Sequence, residues 1–134
     1  MNPDLDALLP HRGPMRLIDA LSGSTARVRL DPQAWYADGA GRTPVWIGLE
    51  LMAQALAAWR GATLAAAGGA PRGGYLVACR RFRSTLDAFP ARAELEIRVR
   101  LLEEDPSGLC SCHCEILHLG QPVAEATLKV MEKP

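Results

Sequence analysis

The hydrophobic pattern changes from a helical period to a period of two near the middle of the chain. The segment from Trp46 to Ala67 is rich in Ala and Leu, and its only strongly polar side chains are Glu50, Gln54 and Arg60. This pattern predicts one helix, roughly 30 Å long, that is apolar on almost every side and therefore buried. A break rich in Ala and Gly, residues 62–74, ends it.

Beyond the break, apolar residues alternate with polar ones, as in strands with one buried face. Turns are predicted at Asp105–Gly108 and at Gly120–Pro122 because Pro and Gly suit turn geometry. The pattern predicts an antiparallel meander of four strands: Tyr75 to Arg83, Glu94 to Leu101, Leu109 to His118 and Val123 to Met131. Upstream, Met15 to Ala20 and Thr25 to Asp31 predict one or two more strands.

The order of these elements predicts an α+β domain over residues 1–134, in which a curved antiparallel sheet wraps one long buried helix. Such a sheet exposes an edge strand, and pairing of edge strands between two copies removes the exposed edge. We therefore expect a homodimer.

Composition narrows the range of partners. The chain has 15 Lys and Arg against 15 Asp and Glu, so its formal net charge is zero, which argues against binding to nucleic acid or to an anionic membrane surface. A transmembrane helix is not expected, because Glu50 and Arg60 would lie at membrane depth. The acidic start, which leads to a proline and not to an apolar run, predicts a cytoplasmic protein.

The cysteines do not have the spacing of a disulfide framework, and we expect reduced thiols at Cys79, Cys110, Cys112 and Cys114. Strand alternation turns His113 away from the three neighbouring sulfur atoms, so no metal site is predicted there. No cofactor is predicted either.

Two polar positions are candidates for chemistry. Glu50 and Gln54 are four residues apart and share one face of the apolar helix. Burial favours the protonated form of a carboxyl group, which suits Glu50 to proton donation, although pairing with an arginine would explain it equally well. His11, in a predicted loop, is either a general acid or base beside Glu50 or a residue that fixes the loop by hydrogen bonds.

Basic side chains cluster at Arg80, Arg81 and Arg83, around Phe82. They form either a solvated strand face or a docking site for an acidic carrier protein or a phosphate-bearing arm, since guanidinium groups bind such anions well.

Two motifs carry a resemblance to a known family. Leu8 to Asp19 (LLPHRGPMRLID) resembles the N-terminal signature of hotdog-fold 3-hydroxyacyl-[acyl-carrier-protein] dehydratases, and Glu50 to Gln54 (ELMAQ) resembles the start of their central helix. The run from Pro44 to Glu50 (PVWIGLE) is more similar still to the dehydratase-like proteins of bacterial aryl-polyene clusters.

The resemblance implies a hotdog fold and the removal of water from 3-hydroxyacyl chains on acyl carrier protein. It makes Glu50 the acid for the leaving hydroxyl and the backbone N–H of Val45 the donor to the thioester carbonyl. The family's catalytic histidine is replaced by Tyr36 here. The base is then His11 or, with a strongly lowered pKa, Tyr36, and we prefer His11.

The resemblance also implies a substrate tunnel beside the helix and across a dimer interface, with Tyr36, Trp46 and Gln54 in its wall. Two other functions remain open. The missing histidine fits a non-catalytic hotdog subunit that binds acyl chains or pairs with an active dehydratase. The same fold also supports acyl-thioester hydrolysis, with Glu50 activating water.

Overall fold

One long helix lies at the centre of the structure, a computed structural model that describes residues 4–69 and 74–132. This helix, α2, runs from Ile47 to Ala66, one residue shorter at each end than predicted. It is buried on most sides, as its composition requires, and packs mainly against the sheet. Residues 70–73 of the predicted break, and residues 1–3 of the acidic start, lie outside the described residues.

Antiparallel strands wrap around α2. Six of them form the main sheet, in the order β1-β2-β6-β7-β8-β4. They are β1 (Ala20–Ser22), β2 (Thr25–Arg29), β4 (Gly74–Ser84), β6 (Glu94–Glu104), β7 (Leu109–His118) and β8 (Gln121–Glu132). A short helix, α1 (Leu5–Leu8), and a two-stranded sheet of β3 (Thr43–Pro44) with β5 (Ala88–Phe89) complete the described part.

The position of β4 corrects the predicted meander. Strands β6, β7 and β8 are consecutive neighbours, as predicted, but β4 pairs with β8 at the far edge and not with β6. The reason is the connection between them: after Ser84 the chain passes through β5, beside the start of α2, before it enters β6. Among the described residues the main sheet therefore ends in β1 on one side and in β4 on the other, and residues Gly74 to Val77 of β4 are all exposed.

The segment from Met15 to Ala20 is the second correction. It is not a strand: a 3-10 turn occupies Gly13–Met15, and regular pairing begins only at Ala20. Leu17 and Ile18 are both buried, which the alternation of a strand with one wet face would not allow. The N–H of Leu17 bonds to a side chain of α2 instead of to a strand.

The inward faces of the strands agree with the pattern. Cys110, Cys112 and Cys114 are buried against α2, whereas His113 is on the other face of β7 and half-exposed. All four cysteines, Cys79 included, are free thiols. Within residues 4–69 and 74–132, no helix is long and apolar enough to cross a membrane.

Candidate active site

A groove of about 540 Å³ follows one face of α2. Its second wall is the N-terminal segment, residues 6–12, and its third is formed by the ends of β4, β7 and β8. On the helix side, its lining is mostly small or apolar between a glutamate near one end and an arginine near the other: Glu50, Ala53, Leu56, Ala57, Arg60, Gly61 and Leu64.

His11 and Glu50 meet in this groove. His11 Nε2 lies 3.3 Å from Glu50 Oε1, and the two side chains are 29% and 42% exposed, so both are open to a molecule entering the groove. The other ring nitrogen, Nδ1, is buried and has no partner within the described part of the chain. An imidazole next to a carboxyl group is the arrangement that general acid–base chemistry uses.

Gln54 fixes the position of Glu50 by a hydrogen bond. It is fully buried, and its Nε2 donates to Glu50 Oε1 at 3.0 Å and to the Met15 carbonyl at 2.8 Å. Its Oε1 accepts from the N–H of Leu17 at 2.8 Å. Because both amide hydrogens and the carbonyl oxygen are engaged, Gln54 positions Glu50 and the N-terminal segment instead of lining the groove.

The loop that carries His11 is tied to α1 by Arg12. Its Nη1 donates to the carbonyls of Leu9 and His11, and its Nη2 donates to the carbonyl of Asp6. The helix itself is capped by Asp4, whose carboxylate accepts from the N–H of Asp6. The Arg12 guanidinium group therefore gives hydrogen-bond donors to backbone carbonyls that would otherwise have none.

Arg60 does not pair with Glu50, so the carboxyl group remains available. Arg60 donates instead to Glu132 from Nε and to Glu104 from Nη2, at the far end of the groove. An arginine in an apolar helix signals such a partner, but the two glutamates lie 44 and 72 residues away in sequence. Sequence reasoning consequently missed them.

Three residues predicted to contact substrate lie outside the lining of this groove. The Tyr36 side chain is buried, its hydroxyl accepts from the N–H of Asp31 at 3.4 Å, and burial raises its pKa. Trp46, directly before α2, is 61% exposed. Val45 precedes it, and its carbonyl accepts from the N–H of Gly48. None of the three lines the groove.

A bulge in β4 exposes the basic cluster. Arg80 pairs with Thr127 and Arg83 with Glu125, so two residues of β4 oppose one residue of β8 between them. Arg81 takes the left-handed conformation, with φ of 56°. As a result Arg80, Arg81 and Arg83 are all exposed, while Phe82 turns towards the core.

One cluster in the described part of the chain has the geometry to share a metal ion. The ligand atoms of His113, Glu115 and Glu125 lie within 4.8 Å of one another. They project from the face of the sheet opposite the buried cysteines, and none of them lines the groove.

Comparisons with known proteins agree with this architecture. Residues 3–134 match the ApeP-like family, described as ApeP dehydratase. The chain is similar to the dehydratase heterocomplex ApeI:P from Xenorhabdus doucetiae, with a TM-score of 0.85 and 24% identity over 97% of this chain and 91% of that one. No curated protein matches.

Two more distant structures share the fold. A mutant of the phenylacetic acid degradation protein PaaI from Thermus thermophilus has a TM-score of 0.62 and 18% identity, over 87% of this chain and 91% of that one. The gentisyl-coenzyme A thioesterase BH1999 has a TM-score of 0.62 and 15% identity, over 80% and 85%. The predicted hotdog fold is confirmed, and since the match covers nearly the whole chain, the chain belongs to the ApeP-like dehydratase family.

Proposed function

We propose that this protein removes water from 3-hydroxyacyl thioesters carried by acyl carrier protein, giving trans-2-enoyl thioesters in polyene or fatty-acid-like biosynthesis. Family membership supports a dehydratase-like lyase, and similarity of fold to a thioesterase keeps a thioesterase-type reaction as the alternative. The observation that favours dehydration is the His11–Glu50 pair in the groove, because this elimination needs one base and one acid on the same substrate.

In the proposed reaction the substrate loses one proton to His11 and gains one proton from Glu50. His11 Nε2 takes the proton from the α-carbon, and protonated Glu50 gives its proton to the hydroxyl on the β-carbon. The α C–H bond and the β C–O bond break, a double bond forms between the two carbons, and water leaves. The imidazolium then loses its proton to solvent water and the Glu50 carboxylate regains one from it, since both side chains are open to the groove.

Hydrogen bonding suggests which Glu50 oxygen acts. Oε1 already accepts from Gln54 and faces His11, whereas Oε2 has no hydrogen-bond partner within the described residues. We assign the transferred proton to Oε2. His11 is a better candidate base than Tyr36, since burial raises the pKa of the Tyr36 phenol and so disfavours the phenolate.

The thioester carbonyl needs a donor as charge develops on its oxygen. We keep the backbone N–H of Val45 for this role because Val45 lies two residues before α2, near the helix N-terminus, where the helix dipole favours negative charge. Trp46 and Tyr36 would then lie near the thioester end of the substrate and not along its acyl chain. Gln54 acts on the substrate only through Glu50.

Exposed features of the surface support the proposed partners. Exposed Arg80, Arg81 and Arg83 suit an acidic carrier protein or the phosphate of its prosthetic arm. Among the described residues, β4 is the outermost strand at one edge of the main sheet and exposes Leu76 and Val77, and we propose that a second hotdog chain pairs with it. Both a homodimer and a heterodimer fit this edge, and the similar ApeI:P protein is a heterocomplex. A cytoplasmic location stays a prediction.

Intact-protein mass spectrometry of a 3-hydroxyacyl carrier protein tests the proposal. Loss of one water in the presence of the wild type, and no loss with Glu50→Gln, is the expected result. Glu103→Gln, a change of the same kind at an exposed glutamate of β6, should leave the rate unchanged.

The products separate the other functions. Release of free acid would indicate a hydrolase. An unchanged substrate would indicate a non-catalytic subunit if activity then appears when a second hotdog chain is added, and Glu50→Gln in this chain would not affect that activity.

A further inference from the structure

Three side chains that can bind a metal ion lie on the outer face of the main sheet, which points away from α2. His113 and Glu115 are two residues apart on β7 and so share this face, and Glu125 on β8 is the direct cross-strand neighbour of Glu115. Directly opposed residues of an antiparallel pair have Cβ atoms about 5 Å apart, so both carboxyl groups can reach one ion. His113 is diagonal to Glu125, and its ring spans the larger separation.

The ligand atoms of these residues are already close together. One atom from each of the three lies within 4.8 Å of the other two, and His113 Nε2 is 3.7 Å from Glu125 Oε2. Two ligands of a tetrahedral zinc ion, each about 2.0–2.1 Å from the metal, are about 3.3 Å apart. The separations must therefore shrink by at most about 1.5 Å, which small rotations of half-buried glutamate side chains supply.

The two glutamates are not neutralised by the arginines around them. Within residues 4–69 and 74–132, Glu115 and Glu125 form no ion pair with the four arginines that flank them on neighbouring strands, Arg80, Arg83, Arg98 and Arg100. Arg98 pairs with Glu96 instead, and His113 is positive only when protonated. Like charges directly opposite each other destabilise a sheet. The Glu115–Glu125 pair is therefore unfavourable unless a cation binds between the two carboxylates.

The donor atoms select the type of ion. An imidazole nitrogen suits Zn²⁺ and other transition metals, whereas Mg²⁺ and Ca²⁺ prefer sites made only of oxygen. One imidazole and two carboxylates leave the fourth tetrahedral position of zinc to water. Because none of the three residues lines the groove beside α2, an ion bound here would join two strands and not act on the substrate.

We propose that His113, Glu115 and Glu125 bind one Zn²⁺ ion, which links β7 to β8 and stabilises the sheet. The site is separate from the His11–Glu50 pair and does not depend on the proposed function. The sequence did not predict it, because alternation along β7 separates His113 from the cysteines and the third ligand comes from the next strand.

Isothermal titration calorimetry of the untagged, metal-free protein with Zn²⁺ tests the site. We expect one ion per chain and no binding of Mg²⁺ at the same concentration. His113→Ala, Glu115→Gln and Glu125→Gln should each weaken Zn²⁺ binding at least about tenfold, since the loss of even an outer partner of a metal ligand costs that much. The matched controls His118→Ala and Glu96→Gln, outside the cluster, should bind like the wild type.

Thermal unfolding distinguishes a metal ligand from a residue that only supports the sheet. Free Zn²⁺ at about a hundredfold excess over Kd should raise the Tm of the wild type by about 5–10 °C and that of Glu115→Gln by much less. Without zinc, Glu115→Gln should be at least as stable as the wild type, because it removes one of two opposed like charges. A lower Tm of this variant under both conditions would contradict the role as a ligand.

Three further results would overturn the inference. The first is Zn²⁺ binding that persists in the three cluster variants and disappears in His11→Ala, which would place the ion at the groove. The second is a sulfur-to-metal charge-transfer band in the Co²⁺-substituted protein, which would place the ion on cysteine thiolates. The third is no binding of Zn²⁺ by the wild type, which would make the cluster a solvated part of the sheet surface.

Discussion

Replacing Gln54 by Leu tests whether this side chain joins the N-terminal segment to the central helix. The change keeps a buried side chain of similar volume but removes the donors to Met15 and Glu50 and the acceptor for the N–H of Leu17. Because Leu17 is buried, its N–H would be left without a partner, which costs about 1–3 kcal/mol.

The other contacts add less. Met15 is 54% exposed, so its carbonyl can bond to water once the amide is gone, and the loss is about 0.5–1.5 kcal/mol. The free energy of unfolding should thus fall by about 2–4 kcal/mol in total. For a chain of this size that corresponds to a drop in Tm of about 10 °C.

Urea titrations followed by tryptophan fluorescence measure this directly. Gln33→Leu is the control, because Gln33 is exposed and the same substitution there should change the free energy of unfolding by less than about 0.5 kcal/mol. If Gln54→Leu also stays within that range, Gln54 does not anchor the N-terminal segment and the reasoning is wrong.

Gln54→Glu adds a carboxyl group beside Glu50, so the stability of this variant should recover as the pH falls and one of the two carboxyl groups becomes protonated.

Three more changes test the packing, the thiols and the edge strand. A side chain at Gly48 would place its first carbon 3.1 Å from a buried neighbour, so Gly48→Val should lower the free energy of unfolding by about 1–3 kcal/mol in the same titration. Burial raises the pKa of Cys112 and of Cys114 to about 12, so above pH 9 the unfolded chain loses protons that the folded chain keeps. Stability should decline from pH 9 to 12, and Cys114→Ala should reduce that decline in alkaline denaturation curves. Val77→Lys at the β4 edge should convert a dimer into monomers in light scattering, whereas Leu119→Lys, at an exposed turn, should not.

Local patterns predicted the elements well. The apolar composition of α2 predicted both ends of the helix to within one residue. The alternation of apolar and polar residues in β6 and β7 predicted which face of each strand is buried. The failures concern contacts between distant parts of the chain. Nothing in the residues of β4 says that it pairs with β8, because both edges of the meander offer the same backbone groups.

In the site, too, residue types were predictable from the sequence and contacts between distant residues were not. Glu50 and His11 could be selected from residue type, because a carboxyl group in an apolar helix and a histidine in a loop are each unusual. Gln54 bonds to residues 37 and 39 positions away, which the four-residue spacing from Glu50 does not reveal. The substrate contact of Tyr36 stays a prediction, and the motif that suggests it does not reveal that its hydroxyl bonds to Asp31.

The central claim is that His11 and Glu50 act as one catalytic unit on the same substrate. The direct test measures kcat/KM of dehydration for the wild type, His11→Ala, Glu50→Gln and the double variant. Each single change should reduce kcat/KM by about 10²- to 10⁴-fold, and the double variant should lose little more than the worse of the two. If the two losses multiply, or if either variant keeps the wild-type rate, the pair does not perform the reaction that we assign to it.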